Sequence, residues 1–395
     1  SAGAITALQN SVAHYYQRAS SADYLGVDPT RRSLTGTGGY VKVGRKGNAK
    51  WNFSETFTWS SPGFDLNDMG YMKETDYLMN ETEIMYRQTD IWKIFRYNAF
   101  TLSQKNMWNY GGTPFSNNAS LRWQSMTMNR YEWDVKETFA WNWLDSRLLR
   151  GGPDVRFGSY FLTSAKFNTD KAKRMMFMLK YEGDHNFEGN RFNTISPSLT
   201  FRLGNHVYLS GQLDYAWNTD EMQYVATTSP LSSSSLAPYY YVMGHMDQKT
   251  YGLTLKLQVN VTPDISIQFY GAPFTSIAKY DDFKLAADTK SHTFENRFQR
   301  IDPDQLTYAD GVYTIGEGAG QMPFRNPDFR FNEFRSNLVA RWEYLPGSTL
   351  YFVWEHRMSN RDNWYSSGWG SNLDRMWGLP ATNTFMIKMN YWFNL

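Results

Sequence analysis

The sequence contains no cysteine, no long apolar run and no cluster of basic residues. The absence of cysteine excludes disulfides, thiolate metal sites and cysteine nucleophiles. No window approaches the roughly 18 uninterrupted apolar residues of a transmembrane helix. The net charge is only +2, with 40 Lys and Arg against 38 Asp and Glu. Nucleic acid is therefore not predicted as a partner.

Motifs of catalytic and metal sites are missing as well. The six histidines are scattered, and none has the His-Glu-x-x-His spacing of a metal site. Gly36-Thr37-Gly38-Gly39 lacks the lysine and the following helix of a phosphate-binding loop, so small residues where strands crowd are the better interpretation. The sequence predicts no catalytic residue, no cofactor and no metal site, and the protein is not expected to be an enzyme.

Aromatic residues, in contrast, are abundant. The chain has 15 Trp, 27 Tyr and 26 Phe, which together make up 17% of it, yet the mean hydropathy is −0.59. These values conflict for a helical membrane protein. They agree for a transmembrane β-barrel, in which apolar outer and polar inner residues average to a hydrophilic sequence and aromatic residues line the membrane interfaces.

The last stretch of the chain, residues 384–395, alternates as a barrel strand does. The apolar or aromatic residues on one side are Phe385, Ile387, Met389, Tyr391, Phe393 and Leu395, and those between them are Lys388, Asn390, Trp392 and Asn394. Successive side chains of a strand point to opposite faces, so this segment has one apolar face. An exposed edge strand of this kind would aggregate in water, whereas lipid accepts it.

Residues 251–261 alternate in the same way, with Lys256 between Leu255 and Leu257. Burying a lysine without a partner is costly, but a wet interior accepts it. The residues predicted to line the lumen on this basis are Lys256, Arg335, Arg341, Glu343 and Lys388. They either pair with one another in a polar interior or filter solutes.

Short turns alternating with long loops complete the prediction of fold. We interpret residues 1–395 as one antiparallel transmembrane β-barrel of the bacterial outer-membrane type, with roughly 14–16 strands. Residues 286–330 and 357–382 are predicted to be long extracellular loops. Residues 33–43 and 50–60 are predicted to form a hairpin, and 12–18 a short strand.

One loop has the composition of a ligand site. Aromatic faces beside Asn, Asp and Arg can bind sugars by stacking and hydrogen bonding. The candidate residues are Asn360, Arg361, Asp362, Trp364, Tyr365, Trp369 and Trp377. The alternative is a loop that packs on itself or on a partner.

A series of short phrases spans almost the whole chain. They are Tyr16-Gln17-Arg18, Asp23-Tyr24-Leu25-Gly26, Ser61-Pro62-Gly63-Phe64-Asp65-Leu66-Asn67-Asp68, Arg150-Gly151-Gly152-Pro153, Trp217 with Gln223-Tyr224-Val225-Ala226, Asp247-Gln248-Lys249-Thr250, Phe334-Arg335-Ser336-Asn337-Leu338, Trp342-Glu343-Tyr344 with Pro346-Gly347-Ser348-Thr349-Leu350, and Tyr391-Trp392-Phe393. In this order they resemble the C-terminal barrel region of the DUF5916 family, outer-membrane-associated proteins common in Bacteroidota.

The resemblance implies that further barrel strands and a carbohydrate-binding-like domain precede the position of Ser1. Because an outer-membrane protein needs a signal peptide and none opens the chain, Ser1 is expected to begin a processed product. The resemblance implies no catalytic residue.

Three functions follow as hypotheses for a protein of the Gram-negative outer membrane. The first is an anchor or structural subunit of a cell-envelope assembly. The alternatives are a pore for small polar or sugar-like solutes and an outer-membrane lipid hydrolase. The expected partners are outer-membrane lipid, other envelope proteins and a glycan.

Overall fold

The computed structural model describes residues 1–18, 23–66, 70, 72–141, 143–231, 238–363 and 369–393. Within them, β-strands dominate. The strands are β1 Gly38–Arg45, β2 Trp51–Ser60, β3 Tyr77–Gln88, β4 Phe95–Trp108, β5 Pro114–Thr127, β6 Glu132–Trp141, β7 Trp143–Asp145, β8 Val155–Phe157, β9 Tyr160–Asn168, β10 Met175–Asn186, β11 Arg191–Leu203, β12 Val207–Thr228, β13 Tyr240–Asn260, β14 Ile265–Ala286, β15 Phe298–Arg300, β16 Leu306–Ala309, β17 Val312–Ile315, β18 Met322–Arg325, β19 Phe329–Leu345, β20 Ser348–Asp362 and β21 Thr382–Asn390. The α-helices are α1 Ala2–Gln9 and α2 Trp369–Trp377.

One large antiparallel sheet contains most of these strands. Its order is β1-β2-β3-β4-β5-β6-β9-β10-β11-β12-β13-β14-β19-β20-β21, so fifteen strands pair with their neighbours in chain order, and β15 pairs beside β14. The remaining strands form two small sheets, β7-β8 and β16-β17-β18. The predicted all-β, antiparallel fold is confirmed. The described residues form 21 strands, more than the roughly 14–16 predicted for the chain, and fifteen of them follow one another in the large sheet. Among the described residues, no pairing joins β1 to β21.

The connections divide the sheet into two different ends. At one, the turn end, residues 46–50, 204–206 and 346–347 are among short links. At the other, the loop end, the links include the much longer 142–159 and 287–328. Because neighbouring strands run antiparallel, successive links lie at opposite ends of the sheet. The loop end also has short links, 109–113 and 187–190.

The two faces of the sheet have opposite chemistry. On β2, Trp51 is 60% and Phe53 53% exposed, whereas Asn52 and Ser54 are each 6% exposed. We call the face of Trp51 and Phe53 the apolar face and the other the polar face. Directly paired residues share a face, and the apolar face continues through the pairs Ile84–Leu102–Leu121 and Leu338–Trp354–Phe385.

The buried apolar core lies at the loop end. One cluster joins Leu149, Met222 and Met243, and a second packs Phe283 of β14 against Phe324 of β18. Here the strands β12, β13 and β14 extend past the alternating segments and are covered by the connections 142–159 and 287–328. None of the helices in the described parts of the chain has the length and apolar character needed to cross a membrane.

The predicted loop boundaries need correction. Residues 287–328 contain β15 and the β16-β17-β18 sheet, while Ala286 ends β14 and 329–330 begin β19. Likewise, 357–362 continue β20, and Thr382 already begins β21. Their strand structure escaped prediction because these segments lack the alternation of apolar and polar residues. Residues 357–362, for example, are polar at every position except Met358.

Candidate functional site

The polar face contains all five residues predicted to line a lumen. Lys256 is opposite Tyr270, which is opposite Asn337. Arg335, Arg341 and Glu343 are each separated from Asn337 by an even number of residues along β19, so they share its face. Arg341 pairs with Tyr351, which pairs with Lys388, so Lys388 lies on this face as well. Whether this face encloses a lumen stays a prediction.

Three of the five predicted residues, Arg335, Arg341 and Glu343, form ion pairs on the polar face. Arg341 lies 2.5 Å from Glu343, and Glu333 lies 2.8 Å from Arg335 and 3.0 Å from Arg357. The sequence analysis did not include Glu333 among the lumen residues, although Glu333 is two positions before Arg335 and therefore on the same face of the strand. Mutual pairing, one of the two hypotheses for these residues, agrees with the contacts of Arg335, Arg341 and Glu343, and the filtering of solutes stays a prediction.

The predicted ligand loop is divided by the structure. Asn360, Arg361 and Asp362 belong to β20, and Trp369 and Trp377 are the first and last residues of α2. Trp364 and Tyr365 lie outside the described residues. The five predicted residues that the structure describes are thus divided between a strand and a helix.

Asn360 and Asp362 have a structural role. Arg330, which is 2% exposed, pairs with Asp362 and lies 3.5 Å from Asn372 of α2. Asn360 donates a hydrogen bond to Asp362 at 3.2 Å. These contacts hold α2 against β14, β19 and β20. Because Arg330 is buried and both of its partners are side chains of this protein, these contacts position the helix and do not form a binding surface.

Other predicted members of that loop lie apart. The Arg361 guanidinium lies 5.2 Å from the ring of Phe329, on the face opposite to its neighbours Asn360 and Asp362. The Trp377 ring is 4.8 Å from that of Phe334 and its side chain is exposed. The sugar-binding hypothesis for this stretch gains no support from these contacts.

An N-terminal segment, residues 1–18, covers part of the loop end. Gln9 accepts a hydrogen bond from the Asp28 N–H at 2.7 Å and donates one to the Asp28 carbonyl at 2.9 Å. The Thr75 N–H donates to the Ala13 carbonyl at 2.9 Å. The predicted strand 12–18 is wrong, because these residues form turns whose side chains His14 and Tyr16 are buried against the loops.

Asp76 ties this segment to the sheet. Its carboxylate is fully buried, accepts hydrogen bonds from the Tyr24 hydroxyl at 2.6 Å and the Tyr110 N–H at 3.1 Å, and lies 3.6 Å from Arg18. Burial raises the pKa of Asp76, against the opposing effects of Tyr24 and Arg18. Burial, and then the nearby Asp76 carboxylate, raise the pKa of Tyr24.

Replacing Asp76 by asparagine is expected to release the N-terminal segment. The backbone of Asp76 has a φ of +61°, which asparagine tolerates better than most residues. The variant keeps one acceptor where the protein uses two and leaves Arg18 without its anion, so we expect a loss of about 1–3 kcal/mol. Faster trypsin cleavage after Arg18 in detergent solution would measure this.

The matched control is Asp90→Asn, at a surface ion pair with Lys50 at the turn end, where both side chains are mostly exposed. It should leave the cleavage rate unchanged. If Asp76→Asn resists trypsin as well as the unchanged protein does, Asp76 does not hold the segment.

A cavity of about 300 Å³ lies beneath the N-terminal segment. Connections 61–76, 109–113 and 142–159 form its walls, together with Arg18. Charged and aromatic residues meet there, among them Glu74, Trp143, Arg147 and Asp154. Cavities of this size with a few polar groups are where small molecules bind.

Two further cavities follow this one towards the middle of the polar face. A cavity of about 200 Å³ shares Trp143 with it and is lined by Tyr160. A third, of about 340 Å³, shares Leu162, Asp184 and Phe192 with the second. The series runs from the loop end along β6, β9, β10 and β11.

Sequence reasoning missed this site because its residues are far apart in the chain. Asp154 follows Gly152-Pro153, which read as an ordinary loop, and nothing in its neighbours indicated full burial. In the described ranges, no group of three or more His, Asp or Glu side chains is placed to hold a metal ion.

These observations define a class of protein: an all-antiparallel β protein whose large sheet exposes apolar residues on one face and collects paired charges on the other. A family model described as "Domain of unknown function (DUF5916)" matches residues 2–395. The chain therefore belongs to the DUF5916 family, as its sequence phrases predicted. No curated protein matches the chain.

Proposed function

We propose that the protein is a transmembrane β-barrel of the bacterial outer membrane that serves as an anchor or structural subunit of a cell-envelope assembly. The observation that carries the proposal is the inverted burial of the sheet. On β2 the aromatic residues are exposed and the polar ones are buried, whereas a sheet of a soluble protein buries its apolar face.

The apolar face also has the dimension that a membrane requires. On β13 the residues from Tyr251 to Val259 on this face are all apolar or aromatic, and Lys249 marks their upper limit. Nine residues agree with the about 9–11 that a tilted strand needs to cross a bilayer. On β21, Ile387 is 72% exposed, which lipid would cover.

The packed loop end favours an anchor over an open pore. The N-terminal segment and the two apolar clusters lie over the sheet's loop end. The backbone of the N-terminal segment is hydrogen-bonded to the connection 61–76, through the Thr75 N–H and the Ala13 carbonyl. Such packing supports a rigid platform on which other envelope proteins can assemble.

A pore for small polar or sugar-like solutes remains the second candidate. The neighbouring cavities along the polar face, lined by Trp143, Tyr160 and Asp184, support it, because aromatic faces and carboxylates suit hydroxyl-rich solutes.

The lipid hydrolase alternative has one observation in its favour. Ser336, His356 and Asn383 are paired across β19, β20 and β21 on the apolar face, and His356 Nδ1 lies 2.9 Å from Asn383 Oδ1. A nucleophile, however, needs a hydrogen bond to its base, and among the described contacts Ser336 and His356 form none. This alternative is the weakest of the three.

Affinity purification in mild detergent and planar-bilayer recording together test the proposal. We expect partner proteins to co-purify in fixed ratio and the purified protein to show no steady large conductance. Steady large openings by a protein that purifies alone would replace the anchor with the pore.

A further inference from the structure

A cavity of about 460 Å³ lies at the turn end of the sheet, between the links 128–131 and 169–174. The two links are neighbours because β6 pairs with β9. Apolar and charged side chains both line the cavity. The apolar or aromatic ones are Met128, Tyr131, Met175 and Phe177, and the charged ones are Arg130, Asp170 and Lys173. Because Arg130, Lys173 and Met175 are exposed, a ligand can reach the cavity from outside the protein.

Both cations of the cavity are available to such a ligand. Across the residues that the structure describes, neither the Arg130 guanidinium nor the Lys173 ammonium forms an ion pair or a hydrogen bond. Residues 128–132 and 169–174 together contain four basic and two acidic residues. The cavity therefore lies in a region with an excess of positive charge.

The two acidic residues of these links already have partners within the protein. Glu132 pairs with Lys171 and accepts a hydrogen bond from the Asn168 side chain at 3.3 Å. The Asp170 carboxylate accepts the N–H of Ala172 at 2.9 Å. An anion that enters the cavity can thus pair with the two cations without displacing a carboxylate.

A ladder of aromatic rings lies beside the cavity on the apolar face. The ring of Phe167 lies 5.8 Å from that of Tyr131, 4.4 Å from that of Trp133 and 6.4 Å from that of Phe177. Trp133 belongs to the apolar face because its cross-strand partner lies four positions after Leu121 of that face. Trp and Tyr concentrate where the hydrocarbon of a bilayer meets the headgroups. In a transmembrane protein, the ladder would mark this boundary and place the cations beside lipid phosphates.

We propose that the cavity binds the headgroup of an anionic phospholipid. The phosphate pairs with Arg130 and Lys173, the two residue types that commonly bind phosphate. The acyl chains follow Met175 and Phe177 onto the apolar face. Short turns of outer-membrane barrels face the periplasm, so the lipid belongs to the periplasmic leaflet. The inference rests on the proposed transmembrane barrel and does not require the anchor function.

A phospholipid suits the cavity better than a soluble phosphate ester or an acidic protein segment. Either of these could pair with the cations, but Met128 and Met175, which are 50% and 58% exposed, call for an apolar partner as well. Met175 and Phe177 alternate along β10 and continue the apolar face up to the cavity. A lipid matches both parts, because its anion is joined to apolar chains.

Native mass spectrometry of the detergent-solubilised full chain tests the inference with two lipids that have the same acyl chains. They are phosphatidylglycerol and phosphatidylcholine, whose choline neutralises the phosphate. Each cation near a membrane surface favours an anionic headgroup by about fivefold, so we expect the two together to favour phosphatidylglycerol by at least about tenfold. Glycerol phosphate, which lacks the acyl chains, should not displace it at about 1 mM.

Two double variants and a control locate the site. Arg130→Gln with Lys173→Gln should bind both lipids alike. Arg130→Lys with Lys173→Arg retains the two charges and should retain the preference. The matched control is Arg300→Gln at the loop end, because Arg300 is exposed and forms no ion pair among the described residues. It should bind as the unchanged protein does, and an unchanged urea midpoint shows that each variant is folded.

Equal binding of the two lipids by the unchanged protein, or a preference that survives both glutamine substitutions, would overturn the inference. Displacement by glycerol phosphate would assign the cavity to a soluble phosphate ester instead. If the glutamine variant keeps its lipid but loses a co-purifying protein, the cations serve that protein.

Resistance to extraction from phosphatidylcholine vesicles by alkaline carbonate measures membrane insertion separately. A protein that inserts without any headgroup preference contradicts only the lipid site. A protein that does not insert contradicts the transmembrane proposal as well.

Discussion

Replacing Leu255 by lysine is expected to destabilise the membrane-inserted protein by about 2–4 kcal/mol, the effect of a lysine on a barrel's lipid face near the bilayer midplane. Leu255 is 40% exposed at the centre of the apolar residues of β13. Its direct cross-strand partners are Gly211 and Gly271, so neither offers a side chain that could pair with the new charge. Urea unfolding of the protein in lipid vesicles measures the loss.

The matched control is Thr254→Lys, one residue away and on the polar face. The native sequence already has Lys256 on that face, so this variant should unfold close to the unchanged protein. If Thr254→Lys lowers the free energy of unfolding and Leu255→Lys does not, the two faces are assigned the wrong way round, and the membrane proposal is contradicted.

Replacing Arg297 by alanine should disrupt the loop end. Arg297 is 1% exposed and meets Glu188 with two hydrogen bonds, at 3.0 and 2.8 Å. It also donates to the carbonyls of Arg156 and Ser291 at 2.7 and 2.8 Å. Removing one partner of a buried pair costs about 3–5 kcal/mol, and in this variant the mostly covered Glu188 carboxylate keeps only the Gly158 N–H of the partners described here.

Limited proteolysis within residues 287–328 reports this change. We expect much faster cleavage there, with the strands of the large sheet still protected. Arg300→Ala is the control, because Arg300 lies three residues further along, is exposed and forms no ion pair among the described residues. Equal protease resistance of both variants would show that Arg297 does not hold the connections together.

The sequence predicted the strands best where one face is apolar and the other polar. Residues 33–43 and 50–60 were predicted as a hairpin and overlap β1 and β2. The predicted 251–261 coincides with the second half of β13. In such segments, burial of one face alone imposes the two-residue period.

The sequence did not predict the parts of the strands that lie at the loop end. In the first half of β13, the adjacent residues Val242 and Met243 are both fully buried, which no alternation describes. The same holds for the cavity, whose lining residues Lys73 and Asp154 come from different connections of the sheet. Long-range contact between loops leaves no local period in the sequence, so this part of the candidate site could not be predicted.

The number of strands in the large sheet determines how a cylinder could be completed. With fifteen strands in alternating directions, β1 and β21 both run from the loop end to the turn end. Direct contact between them would be parallel, a pairing slightly less stable per residue than the antiparallel one. One additional strand of opposite direction, whatever its source, would bond antiparallel to both, whereas two would again leave a parallel seam.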